Sequence, residues 1–314
     1  MRAVLGIDIG SVSVKMAVLD ENKKLRAHVY LETAGAPVES TLQALGEIRK
    51  QIDEQALRIS GVGVTGSGRK LAALLLGADI VKNEVTAQTI AALHYDPDVS
   101  SIIEIGGQDS KVIILENGIP VWHNLNTLCA AGTGSFLSSQ ALRLKVPIEK
   151  FGEHALRSKV KVNIAAKCTV FSESDMIHKA ALGYKKEDII NGLCEALVRN
   201  FVNNVTRNRS LRSPTVFAGG VAANQGVVKA FERELGHAVI VPEEHRIMGC
   251  IGMALLTLEQ KIDNTGFKGF DIIGHDVRLT SHVCEDCPNQ CEITGVLIND
   301  TAAGYLNSRC GKYG

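Results

Sequence analysis

Two short runs of this 314-residue chain combine an acidic residue, a glycine turn and a lysine. They are GIDIGSVSVK, with Asp8, Gly10 and Lys15, and EIGGQDSK, with Glu104, Gly106 and Lys111. The same 96-residue offset separates Asp8 from Glu104, Gly10 from Gly106 and Lys15 from Lys111, and the alignment continues without gaps to Asp20 over Glu116. That combination suits a polyphosphate: N–H groups of the turns point at phosphate oxygens, while the carboxylates hold a hydrated Mg²⁺. ATP is the natural ligand. Asp8 and Glu104 are the expected metal-side carboxylates, and with Gln108 and Asp109 they form the candidate catalytic set. Gly10, Ser11 and Ser13 form the first phosphate cradle, Gly106, Gly107, Gln108 and Asp109 the second, and Lys15 neutralises phosphate charge. A lone acidic-glycine turn is also an ordinary hairpin device, because glycine tolerates positive φ. Duplication is what favours two homologous halves facing one another.

A third segment adds to this set. Phe217-Ala218 ends a strand, and Gly219-Gly220-Val221-Ala222-Ala223-Asn224 follows it into a helix. Small residues there let a flat adenine lie against backbone beside a helix N-terminus; a plain tight strand-to-helix connection is the alternative. Eight cysteines complete the chemically able residues. In a reducing compartment that number argues for metal or redox work over disulfides. Cys284, Cys287 and Cys291 follow a C-x2-C-x3-C spacing and Cys310 comes later, enough thiolates for one metal site, whether an iron-sulfur cluster or a structural zinc. An unliganded tail is the remaining alternative. Cys194 and Cys250 stand on apolar helical stretches and read as small buried hydrophobes.

The elements that must position these residues alternate between strand and helix. Val4–Ile9 and Val12–Leu19 read as strands joined by a turn, which speaks against a P-loop or dinucleotide fingerprint, where the glycine turn opens a helix. Residues 40–59 have helical spacing, Gly61–Val64 is a short strand, and a Gly66-Ser67-Gly68-Arg69 loop precedes a helix over 70–76. A glycine-rich turn at 130–134 is followed by helices over 136–142, 173–181 and 186–203, the strand 215–218, and a last long helix over 249–260. The expected division is 1–97 and 98–248 as two domains, 249–260 as a helix returning to the first, and 261–314 as a cysteine-bearing tail. The 34 basic residues balance 34 acidic ones, so no global field points to nucleic acid or a membrane surface, and no apolar run suits a span or a signal core. A cytoplasmic protein is expected.

GIDIGSVSVK, EIGGQDSK and FAGGVAANQGV together resemble the phosphate-1, phosphate-2 and adenosine motifs of the superfamily of acetate and sugar kinases, heat-shock chaperone ATPases and actin. Two further segments, CAAGTGSFL from Cys129 and CTVFSES from Cys168, resemble signatures of the activator component of 2-hydroxyacyl-CoA dehydratases and the ATPase subunits of benzoyl-CoA reductase. The likeness runs from about Val4 to Leu258. It implies an α/β fold of two actin-like, ribonuclease-H-like (ASKHA) domains around a nucleotide cleft, with Gly132, Thr133, Gly134, Gly219, Gly220 and Asn224 as further cofactor contacts. It also implies a homodimer holding one 4Fe-4S cluster on Cys129 and Cys168 of each subunit, since a cubane takes four thiolates and one chain supplies two here. Ferredoxin or flavodoxin would be the electron donor and an iron-sulfur enzyme the acceptor, under anaerobic conditions. Glu104 stands where the family usually has aspartate, and Ser135 where arginine is common. The tail resembles cysteine segments that follow activator-like domains in large multidomain relatives. A sugar or carboxylate kinase is the rival within the same superfamily, and a chaperone-like binding module finds no room for a peptide-binding domain.

Overall fold

The structure, a computed structural model, describes residues 1–126 and 130–313 and divides into two compact units. The first comprises Met1–Ala91 with Gly249–Gly314, the second Ala92–Met248. Unit one is built on strands β1 (Arg2–Ile9), β2 (Ser13–Asp20), β3 (Leu25–Glu32), β4 (Arg58–Thr65) and β5 (Ile80–Val81) in the order β3-β2-β1-β4-β5. The first three are antiparallel neighbours; β4 runs parallel to β1 and β5 to β4. β1 is buried along nearly its whole length, as a central strand covered on both faces must be. Helices α1 (Pro37–Gln51) and α2 (Arg69–Leu76) flank the sheet, with Leu45, Ile48, Leu75 and Leu76 in its core. The helix α3 (Glu84–Tyr95) carries the chain out of the unit.

Unit two repeats the plan. Strands β6 (Ser101–Ile105), β7 (Ser110–Glu116), β8 (Ile119–Asn126), β9 (Thr215–Ala218) and β10 (Val239–Ile240) stand in the order β10-β9-β6-β7-β8, with the same parallel and antiparallel pairings. Each unit is therefore an actin-like half. Between β8 and β9 lie α4 (Gly134–Leu144), α5 (Ile148–Leu156), α6 (Thr169–Ala181) and α7 (Lys186–Asn200), and α8 (Gln225–Leu235) follows β9. Phe201, Phe217 and Phe231 are fully buried, Phe231 lying edge-on to the other two at 5.4 and 5.0 Å. Each such ring contributes roughly 1.5–3 kcal/mol by leaving water.

The chain returns to unit one as α9 (Met248–Glu259). This helix packs directly on β1: a Cβ on Gly6 would stand 1.9 Å from the Cys250 carbonyl oxygen, so only glycine admits the helix there. The tail folds as a three-stranded antiparallel sheet of β11 (Val277–Val283), β12 (Glu292–Ile298) and β13 (Thr301–Leu306). It lies against α2, where Gly304 leaves room for Leu74. Lys268 donates from its backbone to Leu76 O at 3.0 Å and from Nζ to Leu74 O at 2.6 Å, satisfying carbonyls that the end of α2 would otherwise leave bare.

The helices expected over 136–142 and 173–181 are longer, Gly134–Leu144 and Thr169–Ala181, and two others stop well short of their expected ends. The spacing over 40–59 suggests one helix, yet α1 stops at Gln51 and residues from Arg58 form β4. Asp53 makes the break, accepting from Gln55 N at its side chain and from Ala56 N and Leu57 N at its carbonyl. Leu57, just before β4, and Ile59 within it are buried, which is why they mimic a helical stripe. The helix expected to reach residue 203 is α-helical only to Asn200 and continues as a π-helical turn over Phe201–Val205.

Candidate functional site

The duplicated motif folds into duplicated geometry. In unit one Asp8 lies opposite Lys15 across β1 and β2, with Lys15 Nζ 3.1 Å from Asp8 Oδ2. In unit two Glu104 lies opposite Lys111 across β6 and β7, with Lys111 Nζ 2.7 Å from Glu104 Oε2 and 2.7 Å from Asp109 Oδ2. The turns match as well: Gly10 N donates to Ser13 O at 2.9 Å, and Gly106 N to Asp109 O at 3.0 Å. Asp8 and Glu104 are only 7 % and 9 % exposed, so each carboxylate is largely withdrawn from water beside a lysine. Ser13 is buried, whereas Ser11, Gly107 and Gln108 face solvent.

The repeat extends to a glycine outside the predicted site residues. Gly66 follows β4 and Gly219 follows β9, each on the strand parallel to its unit's motif strand. Gly66 has φ +94° and a Cβ there would meet Ile9 O at 2.2 Å; Gly219 has φ +90° and a Cβ would meet Ile105 O at 2.3 Å. Both wedge the chain against the end of the motif strand. Gly66 was visible in sequence as the start of the loop that follows a predicted strand, close to the place Gly219 takes after its own strand in unit two. Gly249 has no such signal. Its missing Cβ, which would lie 2.7 Å from Asp8 Oδ2, lets the first turn of α9 approach that carboxylate, where the helix dipole favours negative charge.

In unit two the glycine-rich segment is joined to the second phosphate turn. Gly134 N donates to Gly106 O and Ser135 N to Gly107 O, both at 2.8 Å, and the Ser135 hydroxyl also bonds Gly107 O. A Cβ on Gly134 would stand 2.9 Å from Gly106 O. Thr133 is buried, its hydroxyl donating to Ala130 O. Gly220 is exposed, with open space where a Cβ would be. Asn224 turns its Oδ1 to the N–H groups of Gly226 and Val227 and caps α8, so its amide oxygen serves the helix. His245, another residue the sequence did not single out, clamps the same turn: its Nδ1 lies 2.8 Å from Gly219 O, and Gly219 N donates to His245 O at 2.8 Å.

Cys129 lies outside the described residues. Cys168 is half-buried at the N-cap of α6, in extended conformation, and makes no side-chain bond to the first-turn N–H groups. Val170 and Phe171 beside it are 66 % and 64 % exposed. Cys194 and Cys250 are fully buried; burial pushes the Cys194 thiol up to about 12 and the Cys250 thiol higher still, so both are inert packing groups. In the tail, Cys284 N donates to Cys291 O at 2.8 Å, and a turn closed by Gln290 N and Cys287 O lies between them. Asp286 accepts from the Cys284 thiol and pairs with Lys312, two residues beyond Cys310. Among the described residues, no three His, Cys, Asp or Glu side chains are already grouped as a metal centre, and no helix is long and apolar enough to cross a membrane.

The model of the BadF/BadG/BcrA/BcrD ATPase family matches residues 5–257. The chain belongs to that family. It is 33 % identical over 251 residues to the (R)-2-hydroxyglutaryl-CoA dehydratase activating ATPase of Acidaminococcus fermentans, covering 80 % of this chain and 95 % of that one. The solved activator of the 2-hydroxyisocaproyl-CoA dehydratase of Clostridium difficile, with bound ADPNP, superposes with a TM-score of 0.75 at 31 % identity, over 82 % of this chain and 95 % of its own. A ROK-family glucokinase of Streptomyces griseus, TM-score 0.53 and 15 % identity, covers 82 % of this chain and 99 % of its own and shares the fold alone. The family match ends before the tail sheet begins.

Proposed function

We propose that this protein is an ATP-dependent activator that delivers low-potential electrons to an iron-sulfur acceptor enzyme of the 2-hydroxyacyl-CoA dehydratase or benzoyl-CoA reductase kind. One observation carries the coupling: α4, the helix that follows the Cys129 segment, is hydrogen-bonded through Gly134 and Ser135 to the second phosphate turn at Gly106 and Gly107. A change in what that turn holds is therefore felt directly at the start of α4. Named relatives that activate dehydratases support the same reading.

In each unit the carboxylate beside the turn, Asp8 or Glu104, would be the group to hold Mg²⁺, and the turn at Gly10 or Gly106 would present backbone N–H groups to phosphate oxygens. Lys15 and Lys111 keep each carboxylate in place between turnovers. Gln108 and Asp109 border the second turn, where a water attacking the γ-phosphate needs orientation. Cys168 fits a cluster ligand: it forms no disulfide, is partly exposed and stands at the N-cap of α6. With Cys129 it would hold half of a 4Fe-4S cluster, which supplies one-electron chemistry when bound. The other half would come from a second copy, and the exposed Val170 and Phe171 give such a copy apolar surface to cover. Ferredoxin or flavodoxin would load the electron. The tail thiolates Cys284, Cys287, Cys291 and Cys310 would form a separate iron or zinc site, on their spacing and their shared end of the tail hairpin.

Anaerobically purified protein tests this. It is expected to be brown, to hydrolyse ATP, and on Asp8→Ala to lose Mg-ATP turnover while keeping its iron. Colourless protein that phosphorylates a sugar or carboxylate would establish the kinase instead.

A further inference from the structure

We propose that the strap between α5 and α6 is the docking surface for an acidic one-electron carrier protein, an inference that rests on Cys168 being a cluster ligand. From Arg157 to Ser172 the chain carries four cations and no carboxylate, in a sequence whose charges otherwise balance. Residues 157–168 form neither helix nor strand, and a basic run of that kind is ordinarily a loose, solvated loop. This one is fastened along its length. Asp188 accepts from Ser158 Oγ, Lys159 N and Val160 N at 2.9, 2.7 and 3.0 Å. Gly192 leaves room for Val162 O, which a Cβ would meet at 2.5 Å. Arg199 donates to Ile164 O at 2.8 Å, Asp175 accepts from Ala165 N at 2.8 Å, and the buried Asn200 donates to Ala166 O at 2.5 Å. Val162 and Ile164 are buried, while Lys159, Lys161 and Lys167 are exposed. Among the described residues none of these three ammonium groups has an ion pair or a hydrogen bond.

Lys159 and Lys161 line a groove of about 890 Å³ formed by the strap, α7 and α8, with the exposed Leu156 and Val160 beside them. Carboxylates facing that groove are largely engaged. Glu195 pairs with Arg233 at 3.1 Å and Arg199 at 3.7 Å, and Glu232 with Lys229 at 2.6 Å. Glu234 is the lining carboxylate that has no such pair among the described residues. Apolar side chains beside uncompensated positive charge suit a brief encounter steered by charge, and its partner must be acidic. Lys167 immediately precedes Cys168, so a carrier held along the strap is brought to the thiol assigned to the cluster. There the carrier loses the one electron that the cluster gains, and no bond is made or broken. The strap's anchors stand on α6 and α7, and none of these bonds involves the phosphate turn to which α4 is tied. The surface therefore matches the loading step, which needs no ATP, rather than ATP-gated delivery to the acceptor.

The test is stopped-flow reduction of the full-length protein, purified anaerobically, by a reduced bacterial ferredoxin at rising salt. Lys159→Gln, Lys161→Gln and Lys167→Gln are combined in one variant, which should melt within a few degrees of the parent because all three side chains are exposed. The parent's rate constant is expected to fall steeply with salt; the variant should be about 10–100-fold slower at low salt and nearly indifferent to it. Reduced methyl viologen, a small cation that needs no docking surface, should reduce both equally fast, with iron content and ATP hydrolysis unchanged. An unaltered ferredoxin rate and salt slope, or an equal loss with viologen, overturns the proposal. Normal reduction by ferredoxin with lost electron delivery to a 2-hydroxyacyl-CoA dehydratase would assign the strap to the acceptor and likewise overturns it. Parent protein that holds no iron and takes no electron from viologen refutes the proposed function itself, a separate failure.

Discussion

Substituting alanine at three glycines separates backbone strain from steric exclusion at the phosphate turns. Gly66 has φ +94° and no space, with Ile9 O 2.2 Å from where a Cβ would be; Gly35 has φ +82° and nothing within 4 Å; Gly220 has neither a positive φ nor a near neighbour. A left-handed conformation costs a residue with a Cβ about 1–2 kcal/mol, and forcing a methyl into occupied space adds about 1–3 kcal/mol. Gly66→Ala should therefore lose about 2–5 kcal/mol and Gly35→Ala about 1–2 kcal/mol. At roughly 2–4 °C per kcal/mol for a unit of this size, that is about 4–20 °C against about 2–8 °C in melting temperature. Gly220→Ala should melt within a few degrees of the parent yet bind ATP more weakly, because its methyl would enter the open face assigned to adenine. Differential scanning calorimetry with and without ATP, followed by ATPase assays, checks all three. If Gly66→Ala melts no lower than Gly35→Ala, the clash with β1 is not what glycine avoids there. If Gly220→Ala binds ATP normally, the adenine assignment is wrong.

Cys129→Ala and Cys168→Ala are each expected to remove the inter-subunit cluster while leaving the fold, and iron analysis with circular dichroism reads both; full iron retention refutes the ligand set. Asp188 is held below the usual carboxylate range by the N–H groups of Val160 and Lys159, outweighing its burial, with Ser158 adding a hydroxyl. Its depressed folded value means that its stabilisation is complete above the unfolded value of about 3.9 and fades as pH falls below it. Asp188→Asn should thus flatten the acid limb of the melting-temperature profile, and an unchanged limb contradicts that. Serine at Cys284, Cys287, Cys291 and Cys310 together should lower bound iron plus zinc without slowing ATP hydrolysis. Both metals unchanged would show that the tail binds neither.

The parts legible in sequence were those encoded by near neighbours. Asp8 and Lys15, like Glu104 and Lys111, are seven residues apart on a hairpin, so alternation and a glycine turn suffice to pair them. The identical sheet orders were less visible. β3 is an edge strand with polar residues at alternate positions, β8 is an edge strand that opens on Ile119-Pro120 and has no clean alternation, and β5 and β10 are two residues long. Gly249 reaches Asp8, and His245 reaches Gly219, only through packing of segments distant in the chain. Asn200 carries no sequence signal at all: an asparagine late in an amphipathic helix reads as solvated until the fold buries it. The tail strands were unread although Val277, Leu279 and Val283 alternate in β11 and Ile293 and Val296 are buried in β12; Thr, Ser and Gly residues interrupt both runs.

The two sheets are alike, but the connections between their third and fourth strands are not. In unit one residues 33–57 bridge that gap with the single helix α1; in unit two the described residues of 127–214 do so with the α-helices α4 to α7, a 3-10 turn and a π-helical turn. The proposed cluster segments thus lie in an insertion between two strands whose counterparts in unit one are joined by one helix. A shortened chain with a connection like that of α1 in place of 127–214 would still contain all five strands of the second sheet and the phosphate turn at Gly106. The segments to which the proposed function gives the electron are in this sense an addition to a sheet plan that unit one completes without them, tied back to that plan by the bonds from Gly134 and Ser135 to the second phosphate turn.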